Sequence, residues 1–293
     1  MTPDRRTELL AVGALVWAAA LFGTSFVVVK HGLEEMRPVP YLATRFLLAA
    51  LVFALLARRR PSRPGELGLA VRAGVTYAIA NVCQTVGLER TTPATSAFLT
   101  YLLVVAVPLL QFVFAGIRPA RSTVVAIAIS VVGLLLLTGG SAGFGFGSFI
   151  TIVGAVLFGL HIIQIGDAAA RYDVVHFNAV QLAVVAAVLI PFVPFTGGVP
   201  TGRTSWTVIL YAAIVVTVAT FLPWMWAQRH IPPTRAALVL LTEPVFAAIL
   251  SVATGERLST AAVAGAVLIL VGAALAELSA AVAGRVAEPG TAA

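Results

Sequence analysis

One cysteine, Cys83, stands among 293 residues, so no internal disulfide can staple this chain and no second thiolate is there to share a metal. Charge is scarce too: 11% of residues are Asp, Glu, Lys or Arg, against 60% apolar. With a mean hydropathy of +1.01, that balance excludes a soluble globular domain. The signatures of several chemistries are also missing. There is no Gly-x-Ser-x-Gly elbow, no His-Glu-x-x-His helix and no nucleotide-binding domain. The glycine-rich run from Gly139 to Ser148 lacks the Lys-Ser/Thr that would make it a phosphate loop. No cofactor, no metal and no ATP are therefore expected.

What the chain has in abundance is long apolar runs. Leu9–Val29, Thr91–Ile117, Thr204–Gln228 and Ser122–Gly166 contain no charged residue. A spanning helix needs roughly 20 apolar residues, and ten such spans are expected at about 9–30, 39–57, 69–88, 94–115, 122–139, 148–168, 177–195, 204–227, 234–254 and 260–280. In hydrocarbon each span must satisfy its own backbone, so all should be helices and none strands. The first span follows only eight residues and no small-residue cleavage site comes after it, so it is expected to be an uncleaved helix and not a signal peptide. Cys83 falls inside an apolar span and reads as a packing residue.

The chain is also written twice. Leu21-Phe22-Gly23 recurs as Leu157-Phe158-Gly159 at an offset of 136. After a three-residue insertion the offset becomes 139 and pairs Arg90 with Arg229, Pro93 with Pro232, Thr95 with Thr234, Gly116 with Gly255, Arg118 with Arg257 and Val132-Gly133 with Val271-Gly272. Each copy carries five spans, an odd number, so the halves must cross the membrane in opposite orientations. Inverted-repeat transporters are built this way, with the substrate site between the halves near the bilayer midplane. The expected architecture is all-α and integral to the membrane: residues 1–139 as the first five-helix repeat, a hinge at 140–147, 148–283 as the second repeat and a disordered tail at 284–293.

A net charge of +7 would suit nucleic acid were it not for where the charges fall. Thirteen arginines (Arg5, Arg6, Arg58, Arg59, Arg60, Arg63, Arg72, Arg118, Arg121, Arg171, Arg229, Arg235, Arg285) lie on the side of the N-terminus, and five basic residues (Lys30, Arg37, Arg90, Arg203, Arg257) on the other. That is a positive-inside bias, from which both termini are expected in the cytoplasm and no nucleic-acid partner is expected.

Polar residues inside the spans are costly and few. A charge at a span's centre costs about 2.5–3.5 kcal/mol on insertion scales. Glu243 sits deep in the ninth span with Pro244 after it, so the helix should kink beside a carboxyl group. Two roles fit: a proton-coupling or substrate-contacting carboxyl, or a hydrogen-bonded residue joining helices. His161 takes the place of Ser25 in the other copy, with Gln164 on the same face; it is either a titrating group or a neutral interhelical bond. Tyr77, Asn81, Gln84 and Thr85 form a stripe on the third span, and Thr217, Thr220, Trp224 and Gln228 one on the eighth. These stripes should face each other across a cavity, or serve as glue between helices. Arg45 is expected to snorkel toward the interface, near Glu34 or Glu35, rather than bind substrate. Trp17, Trp206 and Trp226 fit either an interfacial belt or a cavity wall.

The segment from Ala236 to Ser259, with Glu243-Pro244 and the ending Gly255-Glu256-Arg257, resembles the ninth-span signature of the drug/metabolite transporter superfamily, EamA type. Arg45-Phe46-Leu47-Leu48-Ala49-Ala50 is similar to its second-span motif, Leu21-Phe22-Gly23-Thr24-Ser25-Phe26 to its first, and Thr95–Leu99 running to Val107-Pro108-Leu109-Leu110 to a fourth span. Gly116-Ile117-Arg118-Pro119 lacks the glutamate of many first copies. The resemblance implies a ten-helix inner-membrane permease whose cavity is bounded by the first, third, fourth, sixth, eighth and ninth spans. That brings Thr24, Ser25 and Tyr101 into the candidate lining with Tyr77, Asn81, Gln84, His161, Gln164, Thr220, Trp224 and Glu243.

The expected function is a secondary carrier of a small amino-acid-like or amphipathic metabolite, exporting or exchanging it by alternating access, with Glu243 and His161 as candidates for proton coupling. Its partners would be that solute, membrane lipid and protons. A lipid flippase or scramblase is the alternative that inverted repeats also suit, and a membrane-embedded enzyme a further one.

Overall fold

Every regular element among the described residues of this computed structural model is a helix; they cover 5–32, 35–91, 93–139, 145–253 and 258–286. The first five residues of the expected hinge (140–144), Glu34, the Gly255-Glu256-Arg257 ending and residues 287–293 lie outside them. The first half comprises α1 (Arg5–Gly32), α2 (Pro38–Ala57), α3 (Glu66–Glu89), α4 (Pro93–Tyr101), α5 (Leu103–Ala115) and α6 (Arg121–Thr138). The second comprises α7 (Phe146–Arg171), α8 (Val174–Leu189) with a 3₁₀ extension Ile190–Thr196, α9 (Arg203–Tyr211), a π-helical stretch Ala212–Val218, α10 (Ala219–Ala227), α11 (Pro233–Leu240), α12 (Glu243–Ala253) and α13 (Thr260–Val286). Joined end to end, the helices of the described residues make ten rods. Eight are long and apolar enough to cross a membrane. The more polar α3 and the shorter apolar stretch of α13, Thr260–Ala276, are not among the eight.

The fourth and ninth rods are both broken at mid-length. The interruption falls at Leu102 in one and at Leu241–Thr242 in the other, positions related by the offset of 139. In the ninth rod Pro244 contributes directly, because it has no N–H to return to Leu240. The first copy has no proline at the equivalent place, and Pro108 lies further along α5.

Packing carries the repeat into three dimensions. Equivalent helices pair with each other, α2 with α8 and α6 with α13, while the α3–α7 contact is mirrored by α1 with α10 and α5–α7 by α1 with α12. Arg60 at the end of α2 meets Asp173 at the start of α8, and Arg37 before α2 meets Gly197 after α8, so these two equivalents run antiparallel. The α6–α13 crossing shows the same two-fold in atomic detail. A Cβ on Gly133 would lie 2.7 Å from the Gly265 carbonyl and 2.8 Å from the Ile269 nitrogen. Gly272, its repeat partner, is pressed in the same way against Ala126 and Ser130, the partners of Gly265 and Ile269. Lipid gives helices no hydrophobic reason to associate, and close backbone approach at small residues supplies van der Waals contact instead. Outward faces carry Leu51, Leu55, Phe112, Phe114 and Leu278, as a lipid-facing surface requires.

The two ends of the bundle differ. At the N-terminal face, Glu8 pairs with Arg235 (3.4 Å), Arg60 with Asp173 (2.6 Å) and Glu66 with His176 (2.7 Å). There too Thr234 donates to Gln111 at 2.5 Å. Toward the opposite face the described bonds are neutral or long: Ser205 donates to Glu35 at 3.5 Å and Gln84 to Thr100 at 3.3 Å.

Candidate functional site

A cavity of about 140 Å³ opens between the halves beside the break in the ninth rod. Phe22, Ser25 and Val29 come from α1, and Tyr77, Asn81, Gln84, Thr85 and Leu88 from α3. Thr100, Tyr101 and Leu103 flank the break in the fourth rod, and Leu240 and Glu243 that in the ninth. Phe158 and Ile162 of α7, with Val216 and Trp224, close the second half's side. The lining of α1 and α3 belongs to their C-terminal portions and that of α2 to its first turns. The cavity therefore runs from mid-bundle toward the face opposite the N-terminus.

Seven of the expected site residues stand in this wall: Ser25, Tyr77, Asn81, Gln84, Tyr101, Trp224 and Glu243. Asn81 and Thr85 donate to carbonyls one turn back, at Tyr77 (2.8 Å) and Asn81 (2.7 Å), while Gln84 reaches Thr100 at 3.3 Å. Glu243 is buried with the Tyr101 hydroxyl within hydrogen-bonding reach. The indole N–H of Trp224, in the same wall, finds no acceptor among the described residues.

The other four expected residues stand behind the wall. Thr24 bonds the Leu21 carbonyl and the Tyr211 hydroxyl, tying α1 to α9. Thr220 is fully buried and donates to Val216 at 2.7 Å. Gln164 donates to Thr76 at 3.3 Å, joining α7 to α3. His161 is fully buried, stacked on Tyr77 with 4.4 Å between ring centroids and bonded to Gln181 at 3.1 Å. Gln181 in turn donates to Asn178 at 2.5 Å. His161 thus braces the back of the Tyr77 ring that faces the cavity. Trp17 is exposed on the outer surface of α1, while Trp206 and Trp226 are half-buried.

The second rod is the contribution that sequence reasoning missed. Arg45 points inward, with 8% of its surface exposed, and lines the cavity with Tyr41 and Leu42. Its Nε donates to Thr217 at 3.0 Å, its Nη1 to the Tyr41 hydroxyl at 3.2 Å, and its guanidinium lies 5.0 Å from the Phe46 ring centre. The expected snorkelling does not occur, because Thr217 on the π-helical stretch offers an acceptor inside the protein. Glu35, its expected neighbour, instead accepts from Ser205. One signal was available: Arg45 lies in the resemblance motif and is the one charged residue of its span.

Comparisons with known proteins bear on the family and the fold. The EamA-like transporter family model matches twice, over residues 9–139 and 145–278, which is the internal repeat. An uncharacterized transporter of Archaeoglobus fulgidus is 32% identical over 267 residues, covering 89% of this chain and 82% of that protein. The uncharacterized inner membrane transporter YedA of Escherichia coli K12 is 25% identical over 274 residues, covering 87% and 86%. A crystal structure 19% identical in sequence superposes with a TM-score of 0.76 over 94% of this chain and 99% of its own, which shows a common fold. This multi-pass membrane protein belongs to the EamA-like transporter family.

Proposed function

We propose that this chain is a secondary carrier that moves a small amino-acid-like metabolite across the bacterial inner membrane by alternating access, in export or exchange and coupled to protons through Glu243. Both termini would lie in the cytoplasm, on the arginine-rich side. The observation that carries the reading is a cavity between inverted halves that holds one buried cation, Arg45, and one buried carboxyl group, Glu243, in a wall otherwise aromatic and amide. Tyr77 stands within electrostatic reach of both. A solute with a carboxylate and an amine on a short apolar body complements such a wall. The volume is below the roughly 300–1,000 Å³ common for drug-sized ligands, which favours a small solute.

The test is uptake by proteoliposomes of a pooled metabolite panel, read by mass spectrometry with and without an imposed pH gradient. The panel includes amino acids, their decarboxylated amines and their deaminated acids. Gradient-driven accumulation of amino acids over both analogues is the expected result. Accumulation of none, in vesicles shown to hold folded protein, would turn attention to lipid handling and to scramblase assays in the same vesicles.

A further inference from the structure

At the N-terminal face the ends of α7 and α10 are zipped together by the side chains that follow α10. Arg229 donates from Nε to the Ala169 carbonyl at 2.7 Å and from Nη2 to the Tyr172 carbonyl at 2.6 Å. Its neighbour Gln228 donates to the Ile162 carbonyl at 3.0 Å, and Pro233 packs on Gly166. Carbonyls in the last turn of a helix lack in-helix donors, and a guanidinium there satisfies two at once while matching the helix dipole.

The repeat gives each of these residues a counterpart. Arg229 corresponds to Arg90 and Gln228 to Glu89, and α7 with α10 corresponds to α1 with α3. At the offset of 136 Tyr172-Asp173, the turn before α8, corresponds to Met36-Arg37, the turn before α2. At the opposite face, however, the ends of α1 and α3 are held apart. Ser25 and Val29 on one and Thr85 and Leu88 on the other line the cavity between them. Arg90 lies over the Phe146 ring, 5.0 Å from its centre, at the start of α7, and Glu89 is exposed. The same constellation is thus closed in one half and open in the other.

We propose that Arg229 and Arg90 are the alternating latches of this carrier. In the state seen here Arg229 holds the N-terminal face shut. When the halves exchange conformations around the site, Arg229 releases Ala169 and Tyr172. Arg90 then leaves Phe146 and takes the equivalent bond to the Met36 carbonyl, closing the opposite face. This proposal rests on the carrier reading, since it requires two states in which the halves trade places.

The test uses pulsed dipolar distances between paired spin labels in the full chain in nanodiscs, in a Cys83→Ala background. One pair, at Ala170 and Pro232, reports the N-terminal face; the other, at Glu35 and Glu89, the opposite face. Arg229→Ala should shift weight toward long distances at the N-terminal face and short ones opposite, by about tenfold in population ratio for loss of charge-assisted bonds. Arg90→Ala should shift it the other way, and the double variant should fall between the two. Exchange in the parent protein that neither variant moves, or that both move in one direction, would overturn the latch proposal and leave the carrier standing. One unchanging distribution at both faces in the parent and in both variants would remove alternation itself, and the carrier reading with it. Should Arg229→Ala not fold, Arg229→Lys and Arg90→Ala supply the same two directions.

Discussion

Arg45 and Thr217 join the two halves beside the cavity. The guanidinium Nε donates to the threonine hydroxyl at 3.0 Å, and that hydroxyl donates onward to the Ala212 carbonyl at 2.9 Å. The onward bond spans five residues, so the threonine spends its proton inside the π-helical stretch and keeps its lone pair for the arginine. Local π geometry of this kind recurs at functional sites. A fixed cation in the wall follows from it.

That cation sets the first prediction. Arg45→Met should raise the KM for a carboxylate-bearing solute roughly 10–100-fold, the range for losing a hydrogen-bonded charge of about 1.5–3 kcal/mol. Arg45→Lys should fall between, because an ammonium cannot hold Thr217 and Tyr41 and still present a planar fork. Thr217→Val should weaken binding by less than Arg45→Met. Initial uptake rates over a substrate series decide this, and an unchanged KM in Arg45→Met would place the solute elsewhere.

Glu243 gives the second prediction. Glu243→Gln keeps the size of the side chain but cannot carry a proton. If the carboxyl couples transport, the variant should lose accumulation driven by a pH gradient while retaining exchange of labelled for unlabelled solute. Full gradient-driven accumulation by Glu243→Gln would reduce the residue to a helix contact. His161→Gln should leave gradient coupling intact, because the imidazole stands behind Tyr77 and its bond to Gln181 lies outside the cavity.

How much of this was legible in the sequence varies with the physics involved. Span positions follow from the ban on unsatisfied backbone in lipid, and the repeat from residue identities, so the rods and their antiparallel pairing were both open to reading. Glu243 could be found because a charge deep in a span is expensive, and Pro244 marked the break beside it. The polar stripes were visible, but which members face the cavity was not. Helical spacing puts Thr220 and Trp224 on one face, and only packing decides that the indole reaches the cavity while the hydroxyl turns back to Val216. Arg45 was misjudged because snorkelling depends on whether an internal acceptor exists, and Thr217 is 172 residues away.

The α6–α13 crossing offers a test of the two-fold itself. Gly133→Val and Gly272→Val should each cost about 1–3 kcal/mol as overpacked contacts, with similar losses in melting temperature because the sites are equivalent. Gly13→Ala should cost nothing, since a Cβ there meets no atom within 4 Å. Melting curves in one detergent compare the three. Unequal losses at the two valine variants would mean that this crossing is less symmetric than the glycine contacts indicate.

The last prediction concerns pH and lies outside the spans, at the turn before α8. Burial alone would raise the Asp173 carboxyl, but the backbone N–H groups of His176 and Val175 and the Arg60 guanidinium together hold it below its ordinary value of 3.8. A carboxyl group lowered by folding stabilises the fold above its unfolded value, and that contribution disappears as pH falls through the folded one. Asp173→Ala also removes the N-cap of α8, which accepts from Val175 at 2.9 Å and His176 at 3.0 Å, a loss of about 1 kcal/mol. Asp173→Asn retains a capping oxygen and loses only the ionised partner of Arg60. The melting-temperature gap between the parent and Asp173→Asn should therefore be constant from neutral pH down to about 5, then narrow toward zero in stronger acid. The gap for Asp173→Ala should exceed that for Asp173→Asn at neutral pH. A gap for Asp173→Asn that widened in acid would show that the Arg60 pair does not lower the carboxyl, and that the cap alone accounts for Asp173.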